Sequence, residues 1–135
     1  MSTEAYHSDQ KHILIVDDNE DMRLLLQEIL EEEGIYRLSF AATGPEALAQ
    51  TALLRPDLLL MDMSLPELSG WEVVAQLRRQ PAFVHVPIIA VTAHVSRADQ
   101  ERARAVGCDA HLGKPFDITS VLETVAHFLA LEKSA

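Results

Sequence analysis

The 135-residue sequence lacks several features that would assign it to well-known protein classes. It contains a single cysteine, Cys108, which excludes an internal disulfide and any zinc site built from cysteines. No apolar run is long enough to span a bilayer, and the N-terminal stretch MSTEAYHSDQK lacks the apolar core of a secretory signal. We therefore expect a cytoplasmic protein without a membrane-spanning segment.

Basic residues are also scarce, with 11 Lys and Arg against 21 Asp and Glu and a net charge of −10. This charge opposes direct binding to nucleic-acid phosphates. Hydrophobic residues make up 48% of the chain, which is enough for a substantial core, and the length suits one domain. We predict a disordered polar tail at 1–10, a folded domain at 11–131 and a C-terminal tail at 132–135, with no room for an output domain.

Short apolar runs alternate with segments of helical periodicity along the chain. The runs are continuously apolar, which is typical of a parallel sheet that is covered by helices on both faces. Right-handed crossovers then favour a doubly wound α/β fold with five strands and five helices. The predicted strands are 12–16, 36–42, 58–61, 87–92 and 109–112; the predicted helices are 19–34, 43–55, 70–80, 96–107 and one that Asp117 caps.

Two of the predicted helices carry an apolar stripe with the spacing of one helix face. We expect both stripes to pack against the sheet. In the first helix the stripe comprises Met22, Leu25, Leu26, Ile29 and Leu30, and in the last helix it comprises Ile118, Val121, Leu122, Val125 and Phe128.

Charged or hydroxyl side chains stand at the ends of several predicted strands. Asp17 and Asp18 follow the first strand, and Asp62 follows the third. Thr92 ends the fourth strand, and Lys114 comes soon after the fifth. In an open parallel sheet, ligands bind outside the carboxyl ends of the strands, so we expect these five side chains to lie close together.

Three carboxylates at close range repel each other and resist joint ionisation. A magnesium ion relieves this repulsion because it prefers oxygen ligands, and it commonly binds together with a phosphate. Asp17, Asp18 and Asp62 are therefore candidate metal ligands, while Lys114 and Thr92 are candidate contacts for phosphoryl oxygens. Taken singly, each acid would more often be a turn former or a helix cap.

The same residues carry a resemblance to a known family. VDDN at 16–19, LLMDMSLPELSG at 59–70, VTA at 91–93 and KPF at 114–116 resemble, in order and spacing, the motifs of the response-regulator receiver domain of two-component signalling. The resemblance extends from Lys11 to about Leu131. It implies a flavodoxin-like fold with strand order 2-1-3-4-5 and a cis bond between Lys114 and Pro115.

The resemblance also implies roles for the acids. Asp62 would accept a phosphoryl group from a phosphohistidine of a sensor histidine kinase or of a histidine phosphotransfer protein. Asp18, Asp62 and the backbone carbonyl of Ser64 would bind Mg²⁺, with Mn²⁺ as a substitute. Asp17 would act at the metal largely through a water molecule.

Further roles concern the switch and the lifetime of the phosphorylated state. Thr92 and Lys114 would hold phosphoryl oxygens. Receivers commonly carry Tyr or Phe three residues before the motif lysine, where this chain has His111. We expect His111 to act with Thr92 as the residue pair that changes conformation on phosphorylation. The histidine ring should pack more weakly than a Tyr or Phe ring at this position. Ser64 and His94, two residues after the acceptor and after the threonine, are expected to tune the access of water.

Three classes of function remain open. The first is a stand-alone response regulator that signals to an unknown downstream protein and is not a turnover enzyme. It would be a monomer or a weak phosphorylation-dependent dimer. In a variant of this function, the protein relays phosphate to a histidine phosphotransfer protein. The second is an interaction module that is never phosphorylated. The third is a phosphatase, which Ser64 disfavours because such enzymes usually carry a second Asp at that position.

Overall fold

The apolar runs of the sequence form the strands of a parallel sheet. The structure is a computed structural model that describes residues 10–93 and 96–134, without the side chains of 131–134. Residues 1–9 of the predicted tail at 1–10 and the predicted tuning residue His94 lie outside the described residues. The strands are β1 (Lys11–Val16), β2 (Tyr36–Ala41), β3 (Leu58–Asp62), β4 (Ile88–Thr92) and β5 (Ala110–Gly113), and the helices are α1 (Glu20–Glu31), α2 (Gly44–Leu54), α3 (Gly70–Arg78), α4 (Arg97–Val106) and α5 (Ile118–Ser134).

The strand order is β2-β1-β3-β4-β5, with every pairing parallel. This confirms the predicted doubly wound fold and its strand order. Val16 pairs with Met61 and Asp62 pairs with Val91, so the carboxyl ends of β1, β3 and β4 lie side by side. The less apolar β5 occupies one edge of the sheet, as its composition predicts.

Both faces of the sheet are buried, which explains why the strands are continuously apolar. Alternate residues of a strand point to opposite faces. Leu59 and Met61 pack with residues of α2, α3 and α4, whereas Leu58 and Leu60 pack with residues of α1 and α5. The third strand, which carries Asp62 at its end, is fully buried and therefore holds that residue in a fixed position.

The helices start close to the carboxyl ends of the strands that precede them, and polar side chains cap their first turns. Asn19 accepts a hydrogen bond from the Met22 amide at 3.0 Å, as expected for a cap of α1. Ser96 caps α4 by accepting from the Asp99 amide at 3.1 Å. No helix among the described residues is long and apolar enough to cross a membrane.

Two details of the predicted apolar stripes are wrong. Leu25 is 37% exposed and Ile118 is 58% exposed, whereas Leu26 and Val121 are buried. Ile118 is the first residue of α5, and the packed face of that helix begins only at Val121. Periodicity assigned these residues to the correct region of each helix but did not show where the contact with the sheet ends.

Candidate metal and phosphoryl site

Three acids meet where β1 and β3 end. Asp17, Asp18 and Asp62 each offer a carboxylate oxygen, and these atoms lie within 4.8 Å of one another. Asp17 and Asp62 are 1% and 2% exposed, while Asp18 is open to solvent. One oxygen from each carboxylate can therefore approach a single cation, and the side of Asp18 leaves room for water ligands.

Asp62 is the last residue of β3 rather than the first residue after it. The amide of Ser64 donates a hydrogen bond to Asp62 Oδ1 at 2.9 Å. Burial raises the pKa of Asp62 to about 6, against the opposing effect of this hydrogen bond, and the charge of Asp17 adds to the rise. The carboxylates are thus costly to ionise together unless a positive charge joins them.

Lys114 supplies part of that charge. Its Nζ atom lies 3.2 Å from Asp17 Oδ2 and 3.7 Å from Asp62 Oδ1. The Lys114 amide donates to the Thr92 carbonyl at 2.9 Å, which fixes the lysine beside the end of β4. The peptide bond between Lys114 and Pro115 is cis, as the resemblance implied.

The donor set fits a hard divalent cation. Asp17 Oδ2 is buried and accepts no hydrogen bond from the part of the chain that the structure describes, although it faces the Lys114 ammonium. Three carboxylates offer oxygen ligands, and Lys114 contacts two of them, Asp17 and Asp62. Magnesium and manganese match this oxygen-only set better than zinc, which favours nitrogen and sulfur ligands.

The start of α3 passes very close to the end of β3 because Gly70 has no side chain. A Cβ atom at this position would stand 2.6 Å from the Cα atom of Met63 and nearer still to the Asp62 carbonyl oxygen. Any larger residue would push the start of α3 away from the site. Gly70 therefore helps to fix the backbone on which Asp62 is held.

The sequence matches the family model of the response regulator receiver domain over residues 13–126. The chain belongs to the response-regulator receiver family. It is 40% identical over 119 residues to the polar-differentiation response regulator DivK of Brucella anthropi, covering 88% of this chain and 96% of that protein.

Solved structures show the same fold. The chemotaxis protein CheY4 of Vibrio cholerae superposes with a TM-score of 0.83 at 31% identity, covering 88% of this chain and 98% of that one. The receiver domain of a sensor histidine kinase from Pseudomonas aeruginosa gives a TM-score of 0.82 at 30% identity, covering 90% and 98%. That structure holds a magnesium ion coordinated in its active-site cleft.

The receiver's predicted switch residues border a common cavity. Thr92, the buried last residue of β4, and the exposed His111 both line a small cavity beneath α4, together with Gln100 and Ala103. His111 pairs with Ala90 in the sheet. The structure brings the two residues to one place, and their action as a switch stays a prediction.

Sequence reasoning missed one contact at the receiver's acidic site. The side chain of Arg23, on the first helix, donates from Nη1 to the backbone carbonyl of Asp17 at 2.6 Å. The same acid also accepts a hydrogen bond from the Asn19 amide at 2.9 Å through Oδ1. An arginine six residues after an acid is the only signal in the sequence, and it does not reveal that the partner is a carbonyl.

Proposed function

We propose that this receiver accepts a phosphoryl group on Asp62 from a phosphohistidine, in a reaction that requires magnesium, and signals by changing its contacts with other proteins. One observation carries the proposal: Asp17, Asp18 and Asp62 converge within 4.8 Å while Lys114 contacts two of them. Such an arrangement supplies the charge neutralisation and positioning on which phosphoryl transfer depends.

The transfer step follows from how Asp62 is held. Oδ1 accepts the Ser64 hydrogen bond and faces Lys114, which leaves Oδ2 to form the new bond to phosphorus. The bond between phosphorus and the imidazole nitrogen breaks, and the departing histidine takes a proton from solvent. The Lys114 ammonium and the Thr92 hydroxyl hold the phosphoryl oxygens. A bound magnesium ion supplies further neutralisation of the carboxylate and phosphoryl charges.

Mg²⁺ is the proposed cation, with Mn²⁺ as a substitute, and Asp18, Asp62 and the Ser64 carbonyl are its proposed protein ligands. The magnesium ion in the related receiver from Pseudomonas aeruginosa supports this choice. Asp17 lies in the same cluster and would act largely through a bound water molecule. The proposed donor is a sensor histidine kinase or a histidine phosphotransfer protein.

An intact-mass experiment tests the proposal. The protein is incubated with magnesium and a small phosphodonor, and we expect a single phosphoryl adduct that is lost in Asp62→Asn and under chelation. Asp57→Asn is the matched control and should keep the adduct. No adduct, even with a cognate kinase, would favour the interaction module. Rapid continuous release of phosphate would favour a phosphatase and contradict the proposal that the protein is not a turnover enzyme.

We further propose that His111 works with Thr92 as the switch, because both line the cavity beneath α4. A switch of this kind shifts a population through contacts that differ between its two states. His111→Ala should weaken partner binding after phosphorylation and His111→Tyr should strengthen it. Unchanged binding in both variants would contradict this role.

The lifetime of the phosphorylated state is a separate proposal. Ser64 is exposed beside the acceptor, where it can control the approach of water, and His94 is proposed to act with it. Replacing both by Ala should change the rate of dephosphorylation several-fold. An unchanged rate in a protein that still forms the adduct would contradict the proposal.

A further inference from the structure

Asp17 is held at several of its atoms before any ligand arrives. Its amide donates to the Ala41 carbonyl at 3.1 Å, and its Oδ1 accepts from the Asn19 amide at 2.9 Å. Its carbonyl accepts from Arg23 at 2.6 Å. Oδ2 alone accepts no described hydrogen bond, and it points toward the acid cluster, 3.2 Å from Lys114 Nζ.

The Arg23 contact differs from that of an ordinary surface arginine. Arg23 lies near the start of α1, is partly buried, and reaches back to the end of β1. Among the described residues it forms no ion pair, and its guanidinium donates a hydrogen bond to a backbone carbonyl instead. A bond from an ionised donor is short and stronger than a neutral one. It therefore restrains the peptide that follows Asp17 and carries Asp18.

We propose that Arg23 is a positioning residue for the cation site, acting through the Asp17 carbonyl to hold Asp17 Oδ2 and Asp18 in binding geometry. This inference rests on the proposed function in one respect, since it takes the acid cluster to bind a divalent cation. Arg23 is not proposed to contact Asp62, the cation or the phosphoryl group directly.

Removing Arg23 should have two effects on the affinity for the cation, and these effects have opposite signs. Losing a positive charge near three acids should tighten cation binding, but a solvent-screened charge changes affinity by only about twofold to fivefold. Losing a charge-assisted hydrogen bond lowers the equilibrium constant of the bound conformation roughly tenfold or more. Positioning should therefore outweigh charge, and the affinity should fall.

The test measures Mg²⁺ affinity by calorimetry and Mn²⁺ affinity by electron paramagnetic resonance on the full chain. Arg23→Met should weaken both by at least about twofold to fivefold, which is the loss from positioning divided by the gain from charge. Arg23→Lys keeps the charge and one donor and should recover part of the loss. Arg79→Met, which removes an exposed positive charge paired with Glu72, is the control and should stay within about twofold.

A second readout does not depend on any cation. Without metal, the Asn19 amide, which is bonded to Asp17 Oδ1, should exchange its hydrogen several-fold faster in Arg23→Met than in the wild type. Exchange in the core strand β3 should be unchanged, which shows that the variant remains folded. If Arg23→Met does not fold, Arg23→Lys is compared in its place.

The outcomes separate this inference from the proposed function. A wild-type protein that binds neither Mg²⁺ nor Mn²⁺ contradicts the cation site, and the Asn19 exchange rate then decides the positioning role alone. A wild-type protein that binds, with Arg23→Met binding equally well or more tightly, overturns the inference while leaving the proposed function intact. Unaltered Asn19 exchange also overturns it.

Discussion

The two ends of the sheet use aspartate in opposite ways. At the amino end, Asp57 and Asp109 each come one residue before a strand, and each accepts a backbone hydrogen bond through Oδ2. The His12 amide donates to Asp57 at 2.8 Å, and the Ile88 amide donates to Asp109 at 2.9 Å. At the carboxyl end, Asp62 is buried beside other acids, and burial raises its pKa to about 6.

Arg78 completes the contrast because it adds donors at the amino end, whereas Asp17 Oδ2 at the carboxyl end accepts no hydrogen bond from the described residues. Its guanidinium donates to the Gly107 carbonyl from two nitrogens, at 3.0 and 2.8 Å, and to the Phe83 carbonyl at 2.8 Å. It also pairs with Asp109 at 3.0 Å. Acids with satisfied partners stabilise a fold, whereas crowded buried acids cost stability and mark a functional site.

The largest effect is expected from Arg78→Met, which removes the contacts of the amino end. It leaves the Gly107 and Phe83 carbonyls without their guanidinium donor and Asp109 without its ion pair, so the free energy of unfolding should fall by about 2–4 kcal/mol. Urea unfolding measures the loss, and magnesium affinity in the same variant should stay unchanged. A loss below about 1 kcal/mol would show that the amino end is less dependent on this residue than its contacts indicate.

Asp62→Asn should act in the opposite direction and stabilise the metal-free protein. A carboxyl group whose pKa is raised in the folded state costs stability once it is ionised, so the cost grows from pH 3.8 to about 6 and persists above it. The gain in the Asp62→Asn variant should therefore be about 3 kcal/mol at pH 7.5 and close to zero below pH 4. Urea unfolding at both pH values checks the sign, and a loss of stability at pH 7.5 would contradict it.

The matched substitution at the amino end, Asp57→Asn, should destabilise. Asparagine keeps an oxygen that can accept from the His12 amide but loses the charge that strengthens the bond, so the cost should be about 0.5–1 kcal/mol. The same urea titration measures it. Changes of opposite sign in the free energy of unfolding for Asp57→Asn and Asp62→Asn would support the contrast between the two ends of the sheet. Changes of the same sign would contradict it.

The smallest effect on stability is expected from Asp18→Asn. Asp18 is exposed, so the free energy of unfolding without metal should change by less than about 0.5 kcal/mol. Its contribution should appear only when magnesium is added, because the stabilisation by a ligand grows with the logarithm of its concentration divided by its Kd. Thermal unfolding across a magnesium titration measures the difference, and an undiminished response to magnesium would argue against Asp18 as a ligand.

Much of the fold could be predicted because its physical signals are local. The run at 58–61 is too short for a helix and too apolar for an exposed strand, and a parallel sheet then aligns the strand ends that carry Asp17, Asp62 and Thr92. The convergence of the acids with Lys114 was predictable for the same reason. Side chains that follow strands of one parallel sheet converge without any need to know their contacts.

The features that the sequence did not predict depend on long-range contacts with the backbone. Arg78 bonds to the carbonyl of Gly107, 29 residues away, and any residue can offer a carbonyl. Arg23 likewise binds a carbonyl, so no second side chain marks its role. The exposed positions of Leu25 and Ile118 were missed because periodicity defines a helix face but not its limits.

Above all, we propose that the acid at the end of β3, and no other, becomes the phosphoacceptor. Borohydride reduces an acyl phosphate on aspartate to homoserine, so reduction of the phosphorylated protein followed by fragment mass spectrometry identifies the modified residue. We expect homoserine at Asp62 alone, formed only when magnesium is present during phosphorylation. Homoserine at Asp17, Asp18 or Asp57, or an equal yield at Asp62 without magnesium, would contradict the proposal.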